Sequence, residues 1–340
     1  MKMFMDGDFI SNNGIGIGNR SMLKSLSGKL EIAIFKEKTT NRVKRIIEVI
    51  HNLKGCDILL LCSPSRLNVF FIILARIFNI IVFYRAHGFI SEDYNIKYNK
   101  RKLLWWEKFC FKYSQKVFWV SQKAMDLALS YSDKYKSRFD LIYNSINFHD
   151  LNYIINKIKC IRNDNFIISV GGGRKQKNNQ SVAKAISLLN KKGYHLTYLV
   201  LGSEDDGFEE LMQYSCVDYK GLCSYEETLL MMKKSNLFII NSKFDTYSLS
   251  LVEAMLCGCS LLISKNVGAL ETFDNLDNND IIYNNCDIEE LESKIEYLLL
   301  HSNNKRLSEN FRYDLVDSEI VSRVFLTKLK KEFNEFYGKI

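Results

Sequence analysis

Short apolar runs alternate with amphipathic segments along the whole chain, and this alternation constrains the fold more than any other feature. The runs of strand length lie at Met3–Met5, Leu30–Phe35, Ile58–Cys62, Ile80–Tyr84, Lys116–Val120, Phe139–Tyr143, Phe166–Val170, Leu196–Leu201, Val217–Lys220, Leu237–Ile240, Ser260–Ser264 and Asp280–Tyr283. Short apolar strands separated by helical segments are typical of doubly wound sheets with helices on both faces. The pattern predicts an α/β protein.

A polar stretch from Asn156 to Asn165 divides the pattern into two similar halves. A chain of 340 residues is long enough for two domains of ordinary size. We therefore expect one domain over residues 1–158 and a second over residues 159–315, followed by a long amphipathic helix within residues 316–340. Two such domains leave a cleft at the carboxyl ends of their strands, where α/β proteins bind ligands.

Positive charge is concentrated in the first half. Residues 1–150 contain 24 Lys and Arg against 13 Asp and Glu, whereas the remainder contains 23 against 26. A basic domain suits nucleic acid, an anionic membrane surface or a molecule that carries a pyrophosphate. Because no nucleic-acid-binding motif accompanies the charge, nucleic acid is not an expected partner.

The lack of a targeting signal and the spacing of the cysteines indicate a reducing compartment. The N-terminal segment MKMFMDGDF lacks the apolar core of a signal peptide, and no apolar run reaches the ~18 residues of a membrane span. The nine cysteines show neither CxxC pairs nor histidine partners at metal-binding spacing. We expect a cytoplasmic protein with reduced thiols.

The segment Lys97–Trp119 interleaves basic and aromatic residues and allows two interpretations. Leu103, Trp106, Cys110 and Tyr113 fall on one helical stripe, which would face a core and leave a solvated basic face. The alternative is a helix that lies on an anionic membrane surface. Stacking on single-stranded nucleic acid has no supporting motif.

The second half contains the most informative motif, in which two acids flank a predicted helix start. Asp245 precedes a turn, and Glu253 follows eight positions later. Ser248 is a good helix N-cap, so the N–H groups of Leu249 and the next residue would face an anion such as phosphate at the positive end of the helix dipole. Glu253 could then bond ribose hydroxyls.

A glycine-rich loop with cations follows the strand Phe166–Val170. Its glycines, among them Gly173, let the chain pass close to a ligand, and Arg174 with Lys177 offers two cations for a diphosphate. The second cation could instead be Lys175. The plain alternative is a loop of solvated charges.

The first half has two features of its own. Gly14, Gly16 and Gly18 alternate after the first strand and permit close backbone approach and positive φ, which is useful beside a diphosphate or sugar. His87 follows the strand Ile80–Tyr84 and precedes a glycine, at the expected cleft mouth, where an imidazole could orient a hydroxyl or help move a proton.

A possible metal motif lies beside the first strand. Asp6-Gly7-Asp8 has the form D-x-D, but it does not sit at a donor-binding strand end. Because Arg174 and a helix dipole already supply positive charge, we expect no metal.

Taken in order, these motifs resemble those of the family 4 retaining glycosyltransferases, sugar-nucleotide enzymes of the GT-B fold with two Rossmann-like domains facing a central cleft. The family phrase E-G-F-G-L-x-x-x-E-A-M-A-x-G-x-P is matched by Glu253-Ala-Met and Gly258, with Asp245 at the first acid. Asp in place of Glu, Tyr247-Ser248 in place of Phe-Gly, and Ser260 in place of proline depart from it. The glycine loops, His-Gly and a Gly-x-x-Glu ending at Glu271 also have family counterparts.

The resemblance implies transfer of a sugar from a UDP- or GDP-sugar to a saccharide or lipid-linked acceptor, with no cofactor beyond the donor. It implies bacterial surface polysaccharide assembly, such as O-antigen or capsule, in the cytoplasm or at the inner face of the plasma membrane. The basic first domain would then contact an anionic membrane. It also implies that the last helix packs back on the first domain. Its catalytic residues would be His87 and Asp245, and its donor-binding residues Gly16, Gly173, Arg174, Lys177, Ser248, Leu249, Glu253 and Glu271.

Two other functions stay open. A sugar-nucleotide epimerase of the same fold would convert the donor without an acceptor. A catalytically degraded binding module, suggested by the shorter Asp245, would bind nucleotide without turnover.

Overall fold

A computed structural model of the chain describes residues 1–11, 14–34, 42–63, 65–92 and 103–338. They form two compact units, one of Met1–Ile146 with Asp314–Ile340 and one of Asn147–Tyr313. Each unit has a six-stranded sheet whose neighbouring strands all pair in parallel. The predicted α/β fold with two doubly wound sheets is therefore confirmed.

The first unit begins with alternating strands and helices. Its strands are β1 (Lys2–Asp6), β2 (Glu31–Ala33), β3 (Ile58–Leu61), β4 (Ile81–Ala86), β5 (Lys116–Trp119) and β6 (Phe139–Leu141). Its helices to this point are α1 (Gly14–Leu26), α2 (Arg42–Leu53), α3 (Leu67–Ile77), α4 (Trp105–Tyr113) and α5 (Gln122–Tyr131), with a 3₁₀ helix at Asp133–Arg138. The sheet order is β2-β1-β3-β4-β5-β6. Strands β3 and β4 are buried along their whole length, which explains their continuous apolar sequence.

The second unit repeats the arrangement. Its strands are β7 (Asn163–Val170), β8 (Thr197–Leu201), β9 (Val217–Gly221), β10 (Ser235–Ile240), β11 (Ser260–Ser264) and β12 (Ile281–Ile282). Its helices are α6 (Phe148–Lys157), α7 (Asn179–Lys191), α8 (Phe208–Leu211), α9 (Tyr225–Lys234), α10 (Leu249–Leu256), α11 (Ile288–Leu300) and α12 (Asn304–Glu309), with a 3₁₀ helix at Gly268–Thr272. The order β12-β11-β10-β7-β8-β9 places the topological switch point between β7 and β10. Ligands of such sheets bind at the carboxyl ends of the strands at this point.

Helix α6 lies in the second unit, whereas the sequence analysis placed it before a division at residue 158. The ammonium group of Lys233 on α9 donates to the carbonyl oxygens of Ile155 and Ile158, at 2.7 Å each. Leu151 and Ile155 are buried. These contacts attach the helix to the unit that follows it.

The chain ends with α13 (Tyr313–Val316) and α14 (Ser318–Tyr337). Helix α14 packs within the first unit, where the Phe325 ring meets Phe118 of β5 edge-on at 5.0 Å. The Lys29 ammonium group, just beyond α1, lies 2.7 Å from a carboxylate oxygen of Glu319. The last helix thus contributes to the core of the first unit.

The basic and aromatic segment is described from residue 103 onward, and residues 97–102 lie outside the described part. On α4, Trp106 and Cys110 are buried while Lys108 and Lys112 are exposed, so the stripe faces the core and the basic residues face solvent. Trp105 is 64% exposed. Of the helices in the described ranges, none is both long and apolar enough to cross a membrane.

Candidate active site

The glycine loop that follows β7 is built around close contact between two backbone segments. Gly172 has φ 59°, and a Cβ atom there would lie 2.2 Å from the carbonyl oxygen of Ser203. A Cβ on Gly173 would lie 2.7 Å from the Cα of Phe208, and the Gly173 N–H donates to the Ser203 oxygen at 3.0 Å. Both positions need glycine because the loop after β8 packs against them. The donor contact assigned to Gly173 stays a prediction beside this packing role.

An ion pair joins the two strand ends at the switch point of the second sheet. The Nζ atom of Lys177, in the loop after β7, lies 2.5 Å from Oδ2 of Asp245, after β10. The side chains are only 12% and 13% exposed. Asp245 Oδ1 accepts a hydrogen bond from the Tyr247 N–H at 3.1 Å, which fixes the carboxylate. The structure thus brings together the cation and the first acid that the sequence singled out.

The other two cations of the loop have different surroundings. Arg174 is about half exposed, and its Nε donates to the Gly171 carbonyl at 3.4 Å and lies 4.0 Å from a carboxylate oxygen of Asp205. Lys175 instead pairs with Glu210 at 3.0 Å. Lys177 is therefore the lysine beside the first acid, and Arg174 is a cation with only a loose partner.

Helix α10 begins at the predicted position but is not capped as predicted. Ser248 occupies the N-cap position with φ 75° and ψ 84°, and its side chain caps no backbone N–H. Its hydroxyl lies 3.1 Å from that of Ser250. The predicted side-chain capping by Ser248 is therefore wrong. In the described part of the chain, the first-turn N–H of Leu249 has no hydrogen-bond acceptor, which suits an incoming anion.

The second acid of the motif is buried. Glu253 is 4% exposed, and its Oε1 accepts a hydrogen bond from the Tyr225 hydroxyl at 3.0 Å. Burial raises the pKa of Glu253 to about 7, and the hydrogen bond from Tyr225 opposes that rise. Near neutral pH this carboxyl is thus poised between its two protonation states.

Glu271 lies in the 3₁₀ helix that follows β11. The helix is tied to the first acid because the Gly268 N–H donates to the Asp245 carbonyl at 2.9 Å. The structure thereby joins the predicted Gly-x-x-Glu segment to the Asp245 turn.

A buried asparagine cluster, which the sequence analysis missed, holds the strand ends in place. The Asn285 amide donates to Asn241 Oδ1 at 2.8 Å and to the Ser264 hydroxyl at 2.9 Å. The Asn285 carbonyl accepts from the Asn178 side chain at 2.6 Å. These bonds connect the ends of β10 and β11 to the residue directly after Lys177. Asparagines at successive strand ends were the available signal.

The alternating glycines of the first unit form the start of helix α1 and not a loop. Gly14, Gly16 and Gly18 all lie in α1 and none has positive φ, so that part of the prediction is wrong. A Cβ on Gly16 would lie 2.1 Å from the Ser11 carbonyl oxygen, and one on Gly18 would lie 3.3 Å from His87 Cε1. The absence of side chains lets the helix approach these groups. The donor contact of Gly16 stays a prediction.

His87 is 4% exposed, directly after β4. Burial holds the pKa of His87 well below its ordinary value, and the nearby Arg85 charge lowers it further. His87 is therefore a neutral imidazole at physiological pH.

Arg85 is fully buried and was missed by the sequence analysis. Its Nη2 donates to Asn144 Oδ1 at 3.2 Å and to the Tyr143 carbonyl at 3.3 Å. Burial lowers the pKa of Arg85 to about 10, so the guanidinium stays charged at neutral pH. A single arginine within an otherwise apolar strand was the signal in the sequence.

In the D-x-D segment, the Asp8 side chain forms hydrogen bonds with the backbone of the residues that follow it. Asp8 Oδ1 accepts from the N–H groups of Ile10 and Ser11, at 3.0 Å each. Within the ranges that the structure describes, no group of three or more His, Cys, Asp or Glu side chains is arranged to hold a metal ion.

Comparison with known proteins links this arrangement to one family. Residues 154–313 match the family model described as glycosyl transferases group 1. No protein of curated function matches the chain by sequence.

Solved structures resemble the whole chain. The Anabaena HepE protein in complex with UDP and glucose is 14% identical over 97% of this chain and 99% of its own, with a TM-score of 0.72. Sucrose-phosphate synthase from Thermosynechococcus elongatus is 15% identical over 98% and 99%, with a TM-score of 0.71. The catalytic domain of starch synthase IV from Arabidopsis thaliana, bound to ADP and acarbose, is 13% identical over 98% and 99%, with a TM-score of 0.67. At these identities the likeness shows the fold, which is GT-B.

The family match lies in the second unit, where the glycine loop, the Lys177–Asp245 pair and helix α10 meet at the switch point. Together with the GT-B fold of the whole chain, the match of residues 154–313 to this family model indicates a glycosyltransferase.

Proposed function

We propose that the protein is a retaining glycosyltransferase that moves a hexosyl group from a UDP- or GDP-sugar to an acceptor hydroxyl. The observation that carries the proposal is the cluster at the switch point of the second sheet: two cations, an acid and an open helix start at adjoining strand ends. Three similar structures hold nucleotides, namely HepE with UDP-glucose, HepE with UDP and starch synthase IV with ADP.

The donor diphosphate would be bound by Arg174, Lys177 and the N–H of Leu249. Negative charge on the nucleoside diphosphate grows as its bond to the sugar breaks, so these groups would bind the transition state more tightly than the ground state. Glu253 would accept hydrogen bonds from the ribose hydroxyls in its ionised form, and Glu271 would complete the donor contacts.

The transfer step would break the bond between the sugar anomeric carbon and the phosphate oxygen. A new bond would form between that carbon and the acceptor oxygen on the same face of the sugar, and the departing phosphate oxygen would take the acceptor proton. Asp245 would contact the sugar while it holds Lys177, and His87 would be the catalytic contribution of the first unit. The two cations and the helix dipole supply positive charge at the leaving group, so we propose that neither a metal nor a further cofactor takes part.

The acceptor would be a saccharide, free or lipid-linked, in bacterial surface polysaccharide synthesis such as O-antigen or capsule. The support is the excess of basic residues in the first half of the chain. Exposed apolar residues accompany it on the described helices of that unit, including Ile47, Ile77 and Trp105. Such a surface suits peripheral contact with the anionic cytoplasmic face of a membrane.

A donor screen tests the proposal. Thermal unfolding would be followed with UDP-, GDP- and ADP-linked sugars, each with the wild type, Arg174→Ala and, as the matched loss of a charge, Lys184→Ala on α7. We expect one class of donor to raise the Tm of the wild type and of Lys184→Ala by a similar amount, and the Tm of Arg174→Ala by less. If every donor left the wild-type Tm unchanged, the proposal would fail. Product analysis with the donor alone separates an epimerase, which would isomerise the sugar without an acceptor.

A further inference from the structure

The two residues on either side of Lys177 are hydrogen-bonded to segments that are distant in the sequence. Before it, the Gln176 side chain donates to the Phe244 carbonyl at 2.8 Å, 68 positions later in the chain. The Gln176 carbonyl in turn accepts from the Lys243 N–H at 2.8 Å. Because Phe244 directly precedes Asp245, Gln176 joins the segment that holds the cation to the segment that holds the acid.

Asn178, directly after Lys177, makes the second connection. It is 2% exposed, and its Nδ2 atom donates to the main-chain carbonyl of Asn285 at 2.6 Å. Its backbone is left-handed, with φ 55° and ψ 36°, a conformation that asparagine adopts more readily than most residues. The buried amide therefore holds a sharp turn beside Lys177 against the segment that follows β12.

The aliphatic stem of Lys177 is also confined. A Cβ atom on Gly171, which has φ 126°, would lie 2.7 Å from Lys177 Cγ and 3.0 Å from both Cδ and Cε. The glycine thus lets three carbons of the lysine side chain pack against the backbone directly after β7. Ordering a lysine side chain is entropically unfavourable. When contacts within the protein order it, a ligand does not have to.

We propose that Gln176 and Asn178 are positioning residues that fix the ammonium group of Lys177 beside the acid of the pair. The carboxylate is held separately, since Asp245 Oδ1 accepts from the Tyr247 N–H at 3.1 Å. The cation is at the end of a long side chain, so its place depends on the backbone before and after it. Both positioning residues act through Lys177.

The consequence for sugar transfer rests on the proposed function of Lys177. An ammonium group has three N–H donors, and in the described part of the chain only Asp245 accepts from it. Two donors are therefore left for the oxygens of a diphosphate. Donors that are in place before charge develops on the leaving group stabilise the transition state without reorganisation. Loss of the fixed position should thus lower kcat more than it changes the donor KM.

NMR of the ligand-free protein labelled with ¹⁵N-lysine reads the state of the ammonium group directly. A paired and nearly buried ammonium group exchanges its hydrogens with water slowly enough to give a signal, and Lys177→Arg identifies that of Lys177. We expect the signal in the wild type. In Gln176→Met, which keeps the side-chain length but cannot donate, we expect it to be lost or to move to the signals of exposed lysines. Asn178→Gly, which keeps the left-handed backbone, should have the same effect.

Asn190→Ala is the matched control. Asn190 also joins two segments of the second unit, since its side chain donates to the Leu196 carbonyl at 2.9 Å and accepts from the Leu196 N–H at 2.8 Å. These bonds precede β8, at the opposite end of the strands from Lys177. We expect a lower Tm with the Lys177 signal and kcat unchanged. If this variant also lost the signal, general loosening of the unit would explain the effect and the inference would fail.

Kinetics separate positioning from a purely structural role. The kcat is that for release of nucleoside diphosphate from the donor that raises the Tm. Gln176→Met and Asn178→Gly should each lower it about tenfold, with a smaller change in the donor KM. In the Lys177→Ala background neither substitution should lower it further, because no ammonium group is left to position. Equal losses in both backgrounds would show a purely structural role and overturn the inference.

The outcomes distinguish this inference from the proposed function. An unchanged Lys177 signal in both Gln176→Met and Asn178→Gly overturns the inference, whatever the activity. A lost signal with an unchanged kcat supports the positioning but overturns the role of Lys177 in sugar transfer. A lost signal together with a kcat that falls only when Lys177 is present supports both.

Discussion

The ammonium nitrogen of Lys177 lies 2.5 Å from Oδ2 of Asp245, so a cation after β7 and an acid after β10 form one unit. Both side chains are nearly buried. The aliphatic part of Lys177 packs against Gly171, where an added Cβ atom would come 2.7 Å from Lys177 Cγ. The contact offers a physical reason why this position can be an aspartate where the family phrase has the longer glutamate: the Lys177 side chain is long enough to reach the shorter carboxylate. In the proposed mechanism the same ammonium group faces the donor phosphate.

Removal of the acid tests whether the pair serves catalysis. Asp245→Ala leaves the Lys177 ammonium group nearly buried without a partner, so we expect about 1–3 kcal/mol less stability in denaturant unfolding. We also expect turnover to fall on the order of 10²-fold or more. Asp245→Glu, which keeps a carboxylate, should retain most of both. If the protein were instead a binding module without turnover, Asp245→Ala would be only weakly destabilised and would still bind nucleotide.

The loosely held cation of the loop can be removed without harm to the fold. Arg174→Ala should lower kcat on the order of 10²–10³-fold, because it removes one of the proposed contacts to the developing charge of the leaving group. The Tm should change little, since Arg174 is half exposed and its partner Asp205 lies 4.0 Å away. Steady-state kinetics and calorimetry check the two expectations, with Lys184→Ala as the control. Wild-type kinetics in Arg174→Ala would remove the diphosphate assignment.

The buried acid makes stability depend on pH. The pKa of Glu253 is about 7 when folded and about 4.5 in a model peptide, so its favourable contribution is complete below about pH 4.5 and is lost as the pH rises through about 7. Glu253→Gln removes the ionisable group and keeps an acceptor for Tyr225. We expect the variant to be more stable than the wild type at pH 8.5, by up to about 3 kcal/mol, and similar at pH 4.5. A constant difference across this range in denaturant titrations would exclude the raised pKa.

The affinity for the donor should also depend on the protonation state of Glu253. In the proposed function, ribose hydroxyls donate to the ionised form of Glu253, so donor affinity should weaken as the pH falls below about 7, by at most tenfold per pH unit. Isothermal titration between about pH 5.5 and pH 8 measures the effect, and the affinity of Glu253→Gln should not show this dependence. Parallel pH profiles of the wild type and the variant would place the ribose elsewhere.

Backbone strain at the start of α10 can be relieved. Ser248 has φ 75°, a region that glycine enters without steric cost, so Ser248→Gly should stabilise the protein by about 0.5–1 kcal/mol. Ser250→Gly, two residues further into the helix, is the matched control and should destabilise it by about 0.5–1 kcal/mol. Urea unfolding midpoints compare the two. Equal losses in both variants would show that the serine is not strained.

Local pattern predicted the strands because β3, β4 and their counterparts are buried on both faces and therefore continuously apolar. It also predicted which chemical groups follow each strand. It could not choose between Lys175 and Lys177, since the choice depends on how the loop packs against Ser203 and Phe208. The spacing of residues does not contain that information.

Side chains whose surroundings come from distant segments were missed for the same reason. The partner of Arg85, Asn144, lies 59 positions away, and the burial of Glu253 depends on α9, which supplies Tyr225. The left-handed backbone of Ser248 could not be predicted from the sequence, because serine before a helix usually indicates a side-chain cap. Each of these features arises from tertiary packing.

The most direct test of the account is a crystal structure of the protein with UDP or GDP bound, whichever raises the Tm. The account predicts a pyrophosphate within hydrogen-bond distance of Lys177 Nζ, the Arg174 guanidinium and the Leu249 N–H, with ribose hydroxyls on Glu253. A nucleotide bound away from these four residues would contradict it.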